Sequence, residues 1–165
     1  RRAVALKSIS LSEDHLQNHY RGYPVMPNSL VIEGLAQTGG LLVGEHYQFQ
    51  ERVILAKIAK AQFFEHARPG DTLTYTATIE DINKDGARIT TRAHIKDCPQ
   101  AEVDIVFAHL NARNGVRQLF KSSEFLAMLK VFRLYEVGKN PDGSPLEIPP
   151  HLAEAERAAR APASG

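Results

Sequence analysis

The residues best suited to chemistry lie near the start of the chain, in residues 19–37, with the sequence HYRGYPVMPNSLVIEGLAQ. This stretch contains an imidazole, His19, and a single carboxylate, Glu33. Glu33 lies in a run of apolar residues that predicts a buried helix. Burying an ionised carboxylate without a partner is costly, so such a group is paired or keeps its proton. We therefore predict a chemical task for Glu33.

The same stretch contains the groups needed for acid/base catalysis. A neutral imidazole takes up a proton near neutral pH, and a carboxyl group in apolar surroundings can hold a proton and donate it. The start of the predicted helix near Asn28 adds free backbone amides, which stabilise an oxygen that becomes negative. Gln37 stands one turn after Glu33 and is placed to orient it. Base, acid and oxyanion site are what elimination of water next to a carbonyl requires.

The elements around these residues follow from residue periodicity. We predict a strand over residues 3–10, an irregular loop over 11–27, and a long, almost wholly apolar helix over 28–47. Pro27 favours an abrupt helix start, with Asn28 or Ser29 as the capping residue. Four glycines lower the helix propensity and indicate strands passing close to the helix: Gly34, Gly39, Gly40 and Gly44.

From about residue 53 the apolar period changes to two, which predicts strands. The clearest are 72–80, about 87–96 and 101–111, with turns at Asp85-Gly86 and at residues 97–100. One long buried helix and an antiparallel meander predict an α+β fold, with the sheet wrapped around a central helix.

The end of the chain differs from the rest in its apolar spacing and its composition. Residues 122–136 have apolar residues at helical spacing and predict an amphipathic helix, whereas 138–165, rich in proline and alanine, predict a loosely packed or disordered tail. We therefore divide the chain into a domain over residues 1–121 and a C-terminal extension over 122–165.

Composition excludes several classes of protein. A net charge of +1 gives no global attraction to nucleic acid or membranes, and no apolar run approaches the roughly 18 residues of a membrane span. A single cysteine, Cys98, excludes an internal disulfide framework and predicts a reducing, cytoplasmic location. Apart from His19, the histidines have no metal-ligand spacing, so no metal site is predicted. Because the chain begins at Arg1 and enters a strand-like stretch at once, we expect natural sequence to precede it.

Residues 19–37 resemble the signature of the 3-hydroxyacyl-acyl-carrier-protein dehydratases of type II fatty acid synthesis, approximately GHFPGxPVMPGVLxxEALAQ. His19 and Glu33 match its catalytic residues in type and spacing. Further matches include Pro24, Met26, Pro27, Leu30, Ala36 and Gln37. Residues 57–71, KIAKAQFFEHARPGD, resemble the next strand and its PGD turn. The resemblance covers about residues 1–111.

This resemblance implies a hot-dog fold and a homodimer, often assembled as three dimers in a hexamer. Each active site would take its His from one subunit and its Glu from the other. The implied substrate is a (3R)-3-hydroxyacyl chain on the phosphopantetheine arm of acyl carrier protein, and the implied product is the trans-2-enoyl thioester. No metal or redox cofactor is implied. Besides His19 and Glu33, the implied substrate-binding residues are Asn28, Gln37, Met26, Pro27 and Tyr20.

Three departures from the signature matter for the proposed chemistry. Asn18 replaces a Gly, Arg21 replaces a Pro, and Asn28 replaces the Gly whose amide would bind the thioester oxygen. Because Asn28 and the long tail are unusual, a non-catalytic module that binds acyl thioesters is an alternative, although such a binder would need neither His19 nor Glu33. A hot-dog thioesterase is a third reading, and it ranks lower because it would not need His19.

Basic residues suggest where an acidic carrier protein would dock. Arg113, Arg117 and Lys121 follow the last predicted strand, and Arg88 and Arg92 share one strand face. Such a patch would steer docking, although a run of charges is more often only a solvated face.

Overall fold

The computed structural model describes residues 1–20, 22–110 and 121–161. The chain divides into two compact units, Arg1–Asn111 and Ala112–Gly165. The domain boundary predicted at residue 121 stays a prediction, because it adjoins residues outside the described part. Within the described residues, no helix is both long enough and apolar enough to cross a membrane.

The first unit contains a five-stranded antiparallel sheet. Its strands are β1 (Arg2–Ser8), β2 (Arg52–Phe63), β3 (Thr72–Asn83), β4 (Gly86–Ile95) and β5 (Cys98–Leu110). They lie in the order β1-β3-β4-β5-β2, and every neighbouring pair is antiparallel. β1 and β2 are therefore the two edges of the described sheet. Two helices, α1 (Asp14–Asn18) and α2 (Asn28–His46), separate β1 from β2 along the chain.

The core lies between α2 and the inward face of the sheet. Along β3, residues Leu73, Tyr75 and Ala77 are buried, whereas the threonines between them are more exposed, as the period of two predicts. These residues form one apolar cluster with Val31 and Leu35 of α2. The predicted helix is thus confirmed to within one residue of its end, and it is the central element of the fold.

Two of the four helix glycines allow the sheet to approach α2 closely. A Cβ at Gly34 would lie 2.5 Å from the ring of Tyr75 on β3, and a Cβ at Gly39 would overlap Cδ1 of Ile89 on β4. A Cβ at Gly40 would make only ordinary contact with Phe107, at 3.6 Å. The prediction that strands require these glycines is therefore confirmed for Gly34 and Gly39. At Gly44 the close neighbour is Phe49, in the loop after the helix.

Two local predictions are wrong. Residues 11–27 are not wholly irregular, because α1 forms within them. Neither Asn28 nor Ser29 caps α2: Pro27, with φ −58° and ψ 135°, takes the N-cap position, and Asn28 is already the first helical residue. The fixed φ of proline suits an extended residue at that point, so the helix begins without a side-chain cap.

The turn predicted at residues 97–100 is shorter than expected. Only Lys96 and Asp97 form it, Lys96 with φ +54°, and β5 already begins at Cys98. Pro99 lies opposite His94, next to a shift in the β4–β5 register. An irregularity of this kind accommodates a proline, which has no N–H to donate to the ladder.

The described residues of the second unit, 121–161, form three helices, α3 (Ser122–Val131), α4 (Leu134–Val137) and α5 (Pro150–Arg160). The helix predicted over 122–136 is wrong in its length, because Arg133 adopts a left-handed conformation with φ 57° and separates α3 from α4.

The tail prediction is also wrong over residues 150–160. There α5 buries Leu152, and Glu156 accepts a hydrogen bond from Lys130 of α3 at 2.7 Å. A proline in the first turn of a helix is well tolerated, which explains a helix that starts at Pro150. Residues 162–165 lie outside the described part.

The different surroundings of Gly39 and Gly40 give a test of this packing. We expect Gly39→Ala to lower the free energy of unfolding by about 1–3 kcal/mol, because the new methyl group overlaps Ile89. Gly40→Ala is the matched control. It should raise the free energy of unfolding by up to about 1 kcal/mol, because alanine has the higher helix propensity. Urea denaturation measures both. Ile89→Val removes the overlapping methyl group and should recover part of the loss; equal effects of the two alanines would contradict the packing described here.

Candidate functional site

His19 lies at the end of α1 with its side chain exposed. Its backbone N–H donates to the carbonyl of His15 at 3.2 Å, which makes it the C-cap of the helix. Its ring contacts the ring of Tyr20 edge-on, with the centroids 4.2 Å apart. Tyr20 is also exposed, at 54%. The described residues therefore leave the imidazole accessible for proton transfer.

The segment between His19 and α2 is held by the loop that joins β2 to β3, to which Tyr23 also bonds through Arg68. Met26 is buried, and its N–H donates to the carbonyl of Ala67 at 2.8 Å. Gly22 has φ +76°, a conformation that glycine adopts readily. Pro27, half-buried, follows Met26 and leads directly into α2. The start of α2 is thus fixed in position although no side chain caps it.

Asn28, the first residue of α2, is half-buried. The first amides of a helix have no acceptor within the helix, and the positive end of its dipole lies there. Among the described residues, no acceptor is recorded for the amide of Asn28. This end of α2 therefore presents a free donor.

Glu33 and Gln37 form a pair on the exposed side of α2. Nε2 of Gln37 donates to Oε1 of Glu33 at 2.8 Å, as the spacing of one turn predicts. The expected burial of Glu33 is wrong for the single chain, in which its side chain is exposed. The sheet covers the opposite face of the helix, so the apolar residues around Glu33 in sequence do not surround it in space.

Within one chain the predicted acid and base are not joined. No hydrogen bond, ion pair or ring contact joins His19 to Glu33 in the described part of the chain.

Arg21 lies outside the described residues, and so do Arg113 and Arg117, two of the three residues of the predicted basic run. Among the described residues, no group of three His, Cys, Asp or Glu side chains is arranged to hold a metal ion.

Sequence reasoning missed two polar side chains, one packed against α2 and one at the start of α1. The first is the hydroxyl of Tyr75, which is buried against Gly34. It has no hydrogen-bond partner among the described residues. Burial raises the pKa of Tyr75 to about 12. The second is Glu13, the residue that precedes α1. Ser10 and Glu13 have the S-x-x-E spacing that marks helix starts, a signal that could have identified Glu13.

An antiparallel sheet wrapped around one long helix defines a protein of the hot-dog class. Residues 2–101 match the FabA-like domain, and the chain belongs to that family. Curated relatives include the 3-hydroxyacyl-[acyl-carrier-protein] dehydratases FabZ of Fusobacterium nucleatum and Thermomicrobium roseum. The former is 31% identical over 101 residues, 61% of this chain and 71% of the relative. The latter is 35% identical over 111 residues, 67% of this chain and 74% of the relative.

Solved structures support the same fold. A conserved protein of Pseudomonas aeruginosa has a TM-score of 0.57 at 18% identity, covering 66% of this chain and 81% of its own. An acyl-CoA hydrolase of Staphylococcus aureus has a TM-score of 0.56 at 14% identity, covering 68% and 67%. The fold class and the family resemblance predicted from the sequence are therefore confirmed.

The buried hydroxyl of Tyr75, which packs against Gly34, makes a testable feature of the core. We expect Tyr75→Phe to raise the free energy of unfolding by about 1 kcal/mol, because a buried hydroxyl without a partner costs about that much or more. Thermal denaturation measures the change. Tyr47→Phe is the contrasting variant and should destabilise, since the Tyr47 hydroxyl donates to the carbonyl of Asn83 at 3.1 Å. A loss of stability in Tyr75→Phe would mean that the hydroxyl has a partner.

Proposed function

We propose that this protein is a hydro-lyase that converts (3R)-3-hydroxyacyl-acyl-carrier-protein into trans-2-enoyl-acyl-carrier-protein during fatty acid or related acyl-chain synthesis. Membership of the FabA-like family supports this proposal, as do relatives named as dehydratases of this kind. The observation that carries it is the Glu33–Gln37 pair, an oriented carboxylate on the open side of a helix whose other side is buried.

In the proposed reaction His19 is the base. Its exposed imidazole removes the proton from the carbon next to the thioester carbonyl, and the electron pair moves onto the carbonyl oxygen. The free amide at Asn28, together with the positive end of α2, stabilises that oxygen. Because a backbone amide is the donor, asparagine can supply it as well as glycine can.

Glu33 is the proposed acid. It gives its proton to the hydroxyl on the third carbon; the carbon–oxygen bond breaks, water leaves and the double bond forms. The hydrogen bond from Gln37 to Oε1 holds the carboxyl group in one orientation and leaves Oε2 to face the substrate. Exchange of a proton with solvent resets both side chains.

The remaining predicted residues would line or support the acyl site. Exposed Tyr20, whose ring contacts that of His19 edge-on, is placed to contact the substrate beside the base. Pro27 sets the start of α2 next to the oxyanion donor. Met26 belongs to the core cluster, so its contribution is to hold Pro27 and Asn28 in place.

We further propose that a homodimer completes the site. β2 is an edge strand whose residues 55–62 are exposed on both faces, including Leu55 and Ile58. A long exposed edge is a template for pairing with another strand, and a second copy of β2 would satisfy it with two-fold symmetry. In this dimer each site would take His19 from one subunit and Glu33 from the other, as the family resemblance implies. Three such dimers in a hexamer are part of this proposal.

The substrate would reach the site on the phosphopantetheine arm of acyl carrier protein. Proton transfers by His19 and Glu33 account for the whole reaction, so the proposal includes no metal or redox cofactor. We place the reaction in the cytoplasm, since the single cysteine, Cys98, is an exposed free thiol that suits a reducing compartment.

Substitution of the two proposed catalytic residues tests their roles. With a 3-hydroxyacyl thioester as substrate, formation of the enoyl thioester is followed by absorbance. His19→Ala and Glu33→Gln should each lower kcat on the order of 10²-fold or more, because each removes a proton-transfer group. His94→Ala and Glu80→Gln are the matched controls and should leave kcat unchanged. Full activity in either catalytic variant, or release of free thiol instead of enoyl product, would contradict the proposal.

Mixing the two inactive variants tests whether the site is shared between subunits. Random exchange of His19→Ala and Glu33→Gln subunits makes about half of the dimers mixed, each with one intact site. Activity should return to about a quarter of the wild-type value. His19→Ala mixed with the double variant cannot form an intact site and is the control. A mixture that stays inactive, although mass spectrometry shows exchange of subunits, would place the whole site in one chain.

A further inference from the structure

The helix that carries His19 is too short to hold itself in place. α1 has 5 residues, and isolated helices of this length are not stable in water because nucleation costs more than the few hydrogen bonds return. Its apolar anchor is Leu16, which is 2% exposed and belongs to the core cluster. One apolar contact fixes the helix against the core without fixing its direction. The position of His19 therefore depends on the polar contacts that tie down α1.

Glu13, the residue just before α1, makes those contacts. Oε2 accepts a hydrogen bond from Nζ of Lys7 on β1 at 2.7 Å. Oε1 accepts one from the backbone N–H of Ser10, also at 2.7 Å. The N–H of Glu13 donates in turn to the carbonyl of Ser10 at 3.1 Å. One carboxylate thus ties the start of α1 both to the edge strand and to the loop that follows it.

We propose that Glu13 is a positioning residue for His19. It fixes the direction of α1 through Lys7 and Ser10, and the helix passes that direction to His19, whose N–H is bonded to the carbonyl of His15. This inference rests on the proposed function in so far as it concerns catalysis. Glu13 does not touch the reacting atoms and acts only through the helix.

The groups around Glu13 favour the ionised form of its carboxyl group. The hydrogen bond from Lys7 lowers the pKa of Glu13, and the N–H of Ser10 lowers it further. The other groups that face it are His15, whose Nε2 lies 3.8 Å from Oε2, and Tyr75, whose ionisation the negative charge of Glu13 opposes. Since the pKa is lowered on folding, the stability that Glu13 contributes is present at neutral pH and is lost as the pH falls through the folded-state pKa.

The test compares three variants of the anchor with one matched ion pair elsewhere. Glu13→Ala removes both contacts, Glu13→Gln keeps an acceptor oxygen, and Lys7→Met removes only the strand partner. Glu102→Ala is the control, because Glu102 pairs with Arg92 between neighbouring strands at 3.2 Å, away from α1. In the dehydration assay we expect kcat to fall on the order of 10-fold in Glu13→Ala, with KM nearly unchanged. The losses in Glu13→Gln and Lys7→Met should be smaller, and the control should not change.

A double-mutant cycle separates positioning from general stability. If Glu13 acts through His19, Glu13→Ala should cause no further loss of kcat in the His19→Ala background. The same fold loss in both backgrounds would overturn the inference.

Hydrogen exchange gives a readout that does not depend on activity. Amides at 15–19 should exchange faster in Glu13→Ala, while those of β4 and β5 keep their protection. Unchanged exchange in α1 would overturn the inference even if kcat fell. If the wild-type protein does not dehydrate the thioester, the proposed function fails, and the exchange experiment still decides whether Glu13 fixes the helix.

Discussion

The close packing of α2 against the sheet is the interaction on which the rest of the structure depends. Gly34 and Gly39 bring the helix so near to β3 and β4 that a single methyl group at either position would collide with Tyr75 or Ile89. Glycine in a helix costs about 1 kcal/mol relative to alanine, and here that cost is offset by burial of the apolar side chains between the two layers. The helix cannot slide or rotate without breaking this fit. Its N-terminal amides and Glu33 therefore have fixed positions relative to the sheet.

The helix α2 is buried on one side and exposed on the other. In α2 that side carries Glu33 and Gln37, which hydrogen-bond to each other and remain exposed in the single chain. A carboxylate on such a surface costs nothing while water reaches it, so the chain folds without a desolvation penalty there. Under the proposed assembly, the partner subunit and the substrate would remove that water. Folding and activation of the acid would then be separate events, and the second would occur only where the site is complete.

The sequence predicted the parts of the structure that depend on local periodicity. The helix over residues 28–46 and the alternation along β3 follow from apolar spacing, and the Gln37–Glu33 bond follows from helix geometry. The exposure of Glu33 could not be predicted, because it depends on which side of the helix the sheet covers. The helix α5 was missed for a related reason, because it is held by tertiary contacts such as Lys130 with Glu156, which composition does not reveal. The break at Arg133 was missed because a residue other than glycine rarely adopts a left-handed conformation.

The edge strand β2 is open to pairing with other chains. In the described sheet it pairs only with β5, through a ladder with two register shifts, and its residues 55–62 are exposed on both faces. Lys57 and Lys60 on this strand repel a misplaced neighbour of like charge, a common protection for open edges. That protection is partial, because Leu55 and Ile58 stand on the same strand. Under the proposed assembly, a newly made chain would keep this edge open until it bound a second copy, so its lifetime in the cell would rise with its own concentration.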